Sequence, residues 1–154
     1  MSAKNIICFG EILWDLFPAG KMLGGAPFNV ANTLFSLGGK VSFISRVGQD
    51  ELGNAILTQV ENQVLSSAFI QQDHLHETGK VFVTLDEGGS AQYEMAEDAA
   101  WDFIEANAVA IKTVRDAEAF VFGSLAARAA SKKALQSFLK VSKFSVFDLN
   151  LRPP

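Results

Sequence analysis

The chain has 154 residues, enough for one domain, and 49% of them are hydrophobic while 19% are charged. This composition is globular and too apolar for a disordered chain. Because 13 Lys and Arg residues stand against 17 Asp and Glu residues and no basic run occurs, neither nucleic acid nor a membrane surface is expected as a partner.

The amino-terminal region and the single cysteine predict a cytoplasmic protein. The apolar run directly before Gly10 has only four residues, too few for the core of a signal peptide, and no run of transmembrane length follows. Cys8 lies within this apolar run and has no second cysteine to pair with, which fits a reducing compartment. We expect Cys8 to be a small core residue rather than a catalytic thiol.

The hydrophobic pattern predicts alternating strands and helices. In chain order, the predicted elements are strands at 5–9 and 12–17, a helix at 27–37, a strand at 41–47, a helix capped by Asp50 that carries Leu52, Ile56, Val60 and Val64, and a short strand at 68–71. A hairpin at 80–85 and 91–95, helical turns within 97–113, a strand at 119–122, a helix capped by Ser131 and a strand at 144–149 follow. The predicted fold is α/β with a mostly parallel sheet, and the hairpin is a candidate lid.

A glycine-rich segment, Gly24-Gly25-Ala26-Pro27-Phe28-Asn29, precedes the first predicted helix. Glycine lets a ligand approach the backbone closely, and proline favours the first turn of a helix, where backbone N–H groups are free. The segment is therefore a candidate platform for a polar ligand. The alternative is a Gly-Gly turn that only starts a helix.

Two phosphate-binding signatures are absent near this segment. Gly10 lacks the further glycines of a dinucleotide-binding turn, and Gly20-Lys21 is followed by Met22 rather than Ser or Thr. Asp15, just after the first strand, can accept hydrogen bonds from two neighbouring hydroxyls, and Asn29 can both donate and accept. Together with the glycines they form a set suited to a sugar, whereas Asp15 considered alone is better interpreted as a turn residue between Trp14 and Pro18.

Three ordered motifs resemble the ribokinase-like (PfkB) carbohydrate kinases. They are Gly10-Glu11-Ile12-Leu13-Trp14-Asp15-Leu16-Phe17-Pro18, Gly24-Gly25-Ala26-Pro27-Phe28-Asn29-Val30-Ala31 and Phe147-Asp148-Leu149-Asn150-Leu151-Arg152-Pro153. Within the family the chain is most similar to fructokinases. The resemblance implies an α/β/α sandwich with a small β lid, in which residues 1–154 are the amino-terminal, sugar-binding part of one kinase domain, with lid strands near 12–24 and 80–95.

The resemblance also implies roles for individual residues. Asp15 would bind sugar hydroxyls, and Gly24, Gly25 and Asn29 would form the floor of the site. In the lid, Phe82 or Tyr93 would cover the sugar. Polar groups near the substrate and the transferred phosphate would come from Asn150 and Arg152, although Arg152 is equally a candidate surface charge.

The nucleotide-binding half of such kinases, with its N-x-x-E and G-A-G-D motifs, is expected beyond residue 154, since no Gly-Ala-Gly-Asp occurs here. The resemblance implies ATP and Mg²⁺ as cofactors of a complete enzyme and a homodimer formed through lid strands. We expect this chain alone to be inactive and to bind no cofactor tightly. A non-catalytic sugar-binding or regulatory remnant and a fragment that is unstable by itself are the alternatives.

Other polar and aromatic residues have ordinary explanations. His74 and His76 lack nearby third and fourth ligands, so a polar loop is expected rather than a metal site. Both tryptophans, Trp14 and Trp101, are candidates for stacking on a sugar, but packing is the default for such side chains. The acidic residues Glu94, Glu97 and Asp98 are expected to be solvated.

Overall fold

A computed structural model of the chain describes residues 5–63, 65–85 and 91–151. Within these residues the strands are β1 (Asn5–Phe9), β2 (Leu13–Phe17), β3 (Gly20–Gly24), β4 (Lys40–Gly48), β5 (Ile70–Asp73), β6 (Gly79–Leu85), β7 (Ala91–Met95), β8 (Ala119–Gly123) and β9 (Ser145–Asp148). The helices are α1 (Ala26–Ser36), α2 (Glu51–Asn62), α3 (Ala108–Asp116) and α4 (Ser131–Leu139), and short 3-10 turns lie at Ala100–Phe103 and Leu125–Ala127.

A five-stranded parallel sheet with the order β5-β4-β1-β8-β9 forms the centre of the fold. The apolar residues of the inner strands β1, β4 and β8 are buried on both faces, as is typical of parallel sheets, whereas Val146 and Phe147 of the edge strand β9 are exposed. One face packs against α1 and α2 through Phe28 and Ile56, and the other packs against α3 and α4 through Val114 and Phe138. Complete burial of each such side chain contributes about 1.5–3 kcal/mol. The predicted α/β fold with a mostly parallel sheet is confirmed.

A second, four-stranded sheet has the order β3-β2-β6-β7. The chain enters it twice, once between β1 and α1 and once between β5 and α3. Strands β2 and β6 pair in parallel, whereas the two outer pairs are antiparallel. The predicted hairpin pairing of β6 with β7 is confirmed, and its tip at 86–90 lies outside the described residues.

Most predicted elements occur within a few residues of their expected bounds, and Cys8 is fully buried. The Asp50 cap of α2 is confirmed, since its carboxylate accepts the N–H of Gly53 at 2.7 Å. Val64, expected on the apolar face of that helix, lies outside the described residues. The longest described helix, α2, has 12 residues, and within the described ranges no helix could cross a membrane.

One local expectation was wrong, and two elements have shifted bounds. The short strand expected at 68–71 is β5, which lies two residues further along the chain, and the helical turns expected within 97–113 are a 3-10 turn and α3. Ser131 does not cap α4 but begins it. Its buried hydroxyl donates to the carbonyl of Trp101 at 2.7 Å and accepts the N–H of Ile104 at 2.8 Å. A tertiary contact therefore replaced the local cap.

Candidate functional site

The carboxyl ends of several parallel strands meet at one edge of the five-stranded sheet. Gly10 follows β1, and its carbonyl accepts the hydroxyl of Ser45 in β4 at 2.7 Å. On the other side of β1, Gly123 ends β8 beside Asp148 of β9. The chain runs from β1 toward β4 on one side and from β8 toward β9 on the other. Open parallel sheets bind ligands where their connections diverge in this way.

The start of α1 lies over this divergence. A Cβ atom added to Gly10 would come within 2.5 Å of Cγ of Pro27, and one added to Gly123 would lie 3.6 Å from Cδ of the same proline. Pro27 in the first turn favours the helix start at this position. The glycine segment that leads into α1 is thereby brought to the ends of β1 and β8.

Asp15 lies against Gly24 across the β2–β3 pair. The structure places Asp15 within β2 of the second sheet rather than directly after β1. A Cβ atom on residue 24 would lie only 2.2 Å from Oδ2 of Asp15 and 3.1 Å from its Cγ. Glycine at position 24 therefore leaves the space that the carboxylate occupies.

Gly25 turns the chain from β3 into α1. Its φ of 111° lies in the region that favours glycine. A Cβ atom there would lie 2.4 Å from the carbonyl oxygen of Glu11, so the turn packs directly against the backbone that follows β1. The carbonyl of Gly25 accepts the N–H of Asn29 at 2.9 Å. Both glycines thus allow close approaches that a side chain would prevent.

The strand register separates the two aromatic candidates for the lid. Asp15 pairs with Val81, and Tyr93 pairs with Val83, two residues further along β6. Since side chains alternate between faces along a strand, Asp15 and Tyr93 share one face of the four-stranded sheet. Phe82 lies between the two valines and points to the opposite face. Of the two expected lid residues, Tyr93 therefore shares the face of Asp15 and Phe82 does not.

The remaining expected site residues lie near the edge of the parallel sheet. Asn29 is in the first turn of α1 with its side chain exposed. Asn150 follows β9 with φ 47°, and its N–H donates to Oδ1 of Asp148 at 2.8 Å. Arg152 lies outside the described residues.

Glu11 is a buried acid at the end of β1 that the sequence pattern does not single out. Its side chain is 2% exposed, and Oε1 accepts the N–H of Ala26 at 3.1 Å. Burial raises the pKa of Glu11 to about 7, although backbone hydrogen bonds and the Arg128 guanidinium lower it, while the Asp148 carboxylate raises it further. The sequence signal that could have found Glu11 is its position, an acidic residue between Gly10 and the apolar Ile12 at the end of an apolar strand.

A second buried acid, Asp102, is paired with Arg128. The guanidinium donates through Nε and Nη2 to the two carboxylate oxygens at 2.6 and 2.9 Å. It also lies over the Trp101 ring, 4.3 Å from the ring centroid. Trp101 packs in turn on Gly79, where a Cβ would lie 2.7 Å from the indole. Packing, as expected, accounts for Trp101, and the Asp102–Arg128 pair joins the 3-10 turn at Ala100–Phe103 to the segment that follows β8.

Two further polar networks fix the connections between the sheets. The carboxylate of Asp50, besides capping α2, accepts the N–H and the hydroxyl of Thr78 at 2.8 and 2.7 Å. Asp73 pairs with Arg46 at 2.7 Å and with the ring of His76 at 3.1 Å. These networks join residues 28 apart along the chain in the first case and 27 apart in the second, so local sequence patterns did not reveal them.

His76 takes part in contacts within the loop between β5 and β6. The His76 ring stacks on Phe103 with centroids 3.5 Å apart. Among the residues that the structure describes, no group of three or more His, Cys, Asp or Glu side chains is arranged to hold a metal ion.

Comparison with known proteins identifies the family. The model of the pfkB family carbohydrate kinases matches residues 5–154. Fructokinase-2 of Solanum lycopersicum is 29% identical over 99% of this chain and 52% of its own length, and the fructokinase of Solanum tuberosum is 28% identical over 100% of this chain and 54% of its own.

The fold is shared with solved kinase structures. An uncharacterized sugar kinase from Pyrococcus horikoshii, solved in complex with ATP, superposes with a TM-score of 0.84 at 32% identity, covering 96% of this chain and 53% of that one. The chain spans about half the length of the curated relatives it matches. From the family match over almost every residue, together with the motifs at Asp15 and Gly24, we conclude that the chain belongs to the pfkB family of carbohydrate kinases.

Proposed function

We propose that these residues form the sugar-binding part of a fructokinase-type kinase, which transfers a phosphoryl group from ATP to a sugar hydroxyl. The observation that carries the proposal is the contact between the Asp15 carboxylate and Gly24, beside the diverging ends of β1 and β8. The fructokinase names of the plant relatives support fructose as the first sugar to test.

The chemistry of the site favours hydroxyl groups over phosphate. An ionised Asp15 accepts hydrogen bonds from hydroxyls but repels an anion. At the start of α1, the N–H of Ala26 is already bound by Glu11, and Pro27 has no N–H. This helix start therefore offers little of the anion-binding capacity that a free first turn would have.

The other expected residues complete the proposed site. In this proposal Gly25 brings the backbone against the sugar, and the exposed Asn29 side chain donates and accepts hydrogen bonds. Tyr93, on the same face as Asp15, covers the sugar from the second sheet. We propose that Asn150 and Arg152 contribute polar groups on the side of the transferred phosphate, where the guanidinium of Arg152 would bind two oxygens at once.

Phosphoryl transfer requires groups that we do not assign to this chain. The 154 residues contain no Gly-Ala-Gly-Asp segment, which supplies the base and the anion hole in the family that the motifs resemble. Among the described residues nothing forms a metal centre, so no step through Mg²⁺ is assigned to them. We therefore propose that these residues alone bind sugar without phosphorylating it, and that ATP and Mg²⁺ serve the complete enzyme.

The four-stranded sheet is proposed as the lid over the sugar and as the contact between two subunits. Met22, which is 64% exposed, pairs with Asp15 and lies on the proposed sugar face, whereas Phe82, which is 45% exposed, lies on the opposite face. We propose that the face with Phe82 contacts the second subunit, since an exposed aromatic ring favours contact with another protein surface. The cytoplasmic location expected from the single cysteine stays a prediction.

Calorimetric titration with fructose tests the proposal. Asp15→Asn is expected to weaken fructose binding by about 10- to 100-fold, because a carboxylate that accepts sugar hydroxyls is replaced by a neutral group. Glu94→Gln is the matched control: Glu94 pairs with Phe82 and so lies on the opposite face of the same sheet. Equal affinity of the two variants for every hexose tested would contradict the assignment of the site.

The second candidate function is a non-catalytic sugar-binding or regulatory protein, since the groups assigned to the site bind a sugar and include no catalytic base. An assay of ATP consumption in the presence of Mg²⁺ and fructose separates the two candidates. A kinase, assayed with the reading frame extended to include a Gly-Ala-Gly-Asp segment, consumes ATP when fructose is present. A sugar-binding remnant has the same affinity for fructose and consumes no ATP.

A further inference from the structure

Glu11 contacts the glycine segment with both its backbone and its side chain. Its carbonyl oxygen lies against Gly25, and Oε1 accepts the N–H of Ala26 at 3.1 Å. Asp15 lies against Gly24 in the same segment. Asp15, the proposed sugar ligand, thus lies against Gly24, and Glu11 contacts the two residues that follow it, Gly25 and Ala26.

The second carboxyl oxygen of Glu11 is the unusual feature. Oε2 is buried and has no hydrogen-bond partner among the described residues. An uncompensated buried charge costs far more than an uncompensated neutral group. The observed arrangement therefore suits a protonated carboxyl, whereas an ionised one requires water or a rearrangement of the chain around it.

The surroundings of Glu11 contain two opposing charges. The Arg128 guanidinium favours ionisation of Glu11, but its Nε and Nη2 groups already donate hydrogen bonds to Asp102. The Asp148 carboxylate, at the end of β9, opposes ionisation. The backbone N–H of Glu11 itself favours ionisation, and the hydroxyl of Ser45 in β4 is bound to the carbonyl of the preceding residue, Gly10. The start of α1 contributes the N–H of Ala26 and no side-chain charge.

We propose that Glu11 is a positioning residue whose protonated form holds the segment from Gly24 to Ala26 in its sugar-binding conformation, so that ionisation of Glu11 weakens sugar binding. Ionisation draws water to Oε2. The Gly25–Ala26 turn, which contacts Glu11 and has the smallest side chains, is the part that moves to admit it. The inference rests on the proposed function of Asp15 and Gly24. Burial of Glu11 sets the transition near neutral pH, where its pKa is raised to about 7.

The experiment has two readouts on the full-length protein. The first is the backbone amide resonance of Ala26, followed by NMR from pH 5.5 to 8.5 without sugar. We expect it to titrate near pH 7 in the wild type and to be flat in Glu11→Gln, which retains an oxygen acceptor but cannot ionise. An Ala26 resonance that is flat in the wild type, or that titrates equally in both proteins, overturns the inference.

The second readout is fructose affinity over the same pH range. If only the protonated form binds, the wild-type affinity falls by about tenfold between pH 6 and pH 8. Glu11→Gln is expected to bind with an affinity that does not change with pH, and Glu11→Ala to bind weakly throughout. Glu94→Gln, on the outer face of the second sheet, is expected to follow the wild type.

Failure of this inference is distinguishable from failure of the proposed function. If Asp15→Asn weakens binding but Glu11→Gln follows the wild-type pH curve, the sugar site stands and the positioning role is refuted. If the wild type binds no sugar while the Ala26 resonance still depends on Glu11, the proposed function fails and the sugar part of this inference fails with it, leaving only the coupling of Glu11 to the turn.

Discussion

Oδ2 of Asp15 lies where residue 24 would carry its first side-chain atom, 2.2 Å from the Cβ that alanine would add. The two residues are not directly paired in the antiparallel β2–β3 ladder, since Asp15 pairs with Met22 and Gly24 pairs with Leu13. The carboxylate therefore leans along the sheet toward the glycine segment. The contact links the second sheet to the start of α1 and underlies the proposed site.

Gly24→Ala is expected to lower the free energy of unfolding by about 1–3 kcal/mol, because the added methyl group displaces the Asp15 carboxylate. The same change in an Asp15→Ala background is expected to cost about 1 kcal/mol less, since the clashing oxygen is gone. Urea unfolding of the four proteins measures this coupling. Strictly additive costs would show that the two residues do not touch.

Replacement of Tyr93 and Phe82 distinguishes the two faces of the four-stranded sheet. Tyr93→Ala is expected to raise the Kd for fructose by about 3- to 10-fold, since it removes an aromatic ring from the face that carries Asp15. Phe82→Ala alters the opposite face and is expected to leave the Kd unchanged. The reverse order of effects would place the sugar on the other face of the sheet.

The buried Glu11 makes stability fall as the pH rises. Its pKa is about 7 in the folded chain against an ordinary value of 4.5, so between these values the folded state binds more protons than the unfolded state. The stabilising contribution is complete below pH 4.5 and is lost as the pH rises through 7. It amounts to about 3 kcal/mol in all. Urea unfolding from pH 4.5 to 8.5 should show this loss in the wild type and a flatter profile in Glu11→Gln.

The charges around Glu11 are expected to move its titration in opposite directions. Asp148→Asn removes a negative charge and lowers the midpoint seen at the Ala26 amide, whereas Arg128→Met removes a positive charge and raises it. Arg128→Lys retains the charge and serves as the control for loss of the contact with Asp102. Shifts of the same sign in the Asn and Met variants would contradict the placement of these charges.

Asp73 has the opposite pH dependence. Burial by itself raises its pKa, but hydrogen bonds from Leu75 and His76 and the Arg46 guanidinium outweigh burial and lower the pKa to about 2. Its contribution to stability is therefore present above pH 3.8 and is lost as the pH falls toward 2. We expect Asp73→Asn to cost about 1–3 kcal/mol near pH 7, because the partly buried Arg46 keeps only the exposed Glu105 as an ionic partner and the N–H groups of Leu75 and His76 lose a charged acceptor.

A surface acid provides the control for Asp73. Asp116 pairs with Lys112 one helical turn away, and both side chains are more than half exposed. Solvent screens such pairs, so Asp116→Asn is expected to leave the unfolding curve unchanged. An equal loss of stability in the two variants would mean that Asp73 is no more deeply paired than an exposed acid.

Local signals in the sequence predicted much of the fold. Asp50 before an apolar repeat marks a helix start, and Gly25 followed by Pro27 marks another, because caps and turns depend on neighbouring residues. Prediction was wrong at Ser131 because its hydroxyl has better partners in a distant loop, at Trp101 and Ile104. The candidate set around Asp15 came from motifs, but its geometry could not be predicted.

By itself the sequence determined the alternation of strands and helices, the family and a set of candidate sugar-binding residues, since these depend on local composition and spacing. Only the tertiary structure decided that β8 lies beside β1, that Tyr93 and not Phe82 shares a face with Asp15, and that Glu11 is buried with one oxygen unpaired. Strand order, register and burial arise from contacts between residues far apart in the chain. The alternation of apolar and polar residues along the chain does not determine those contacts.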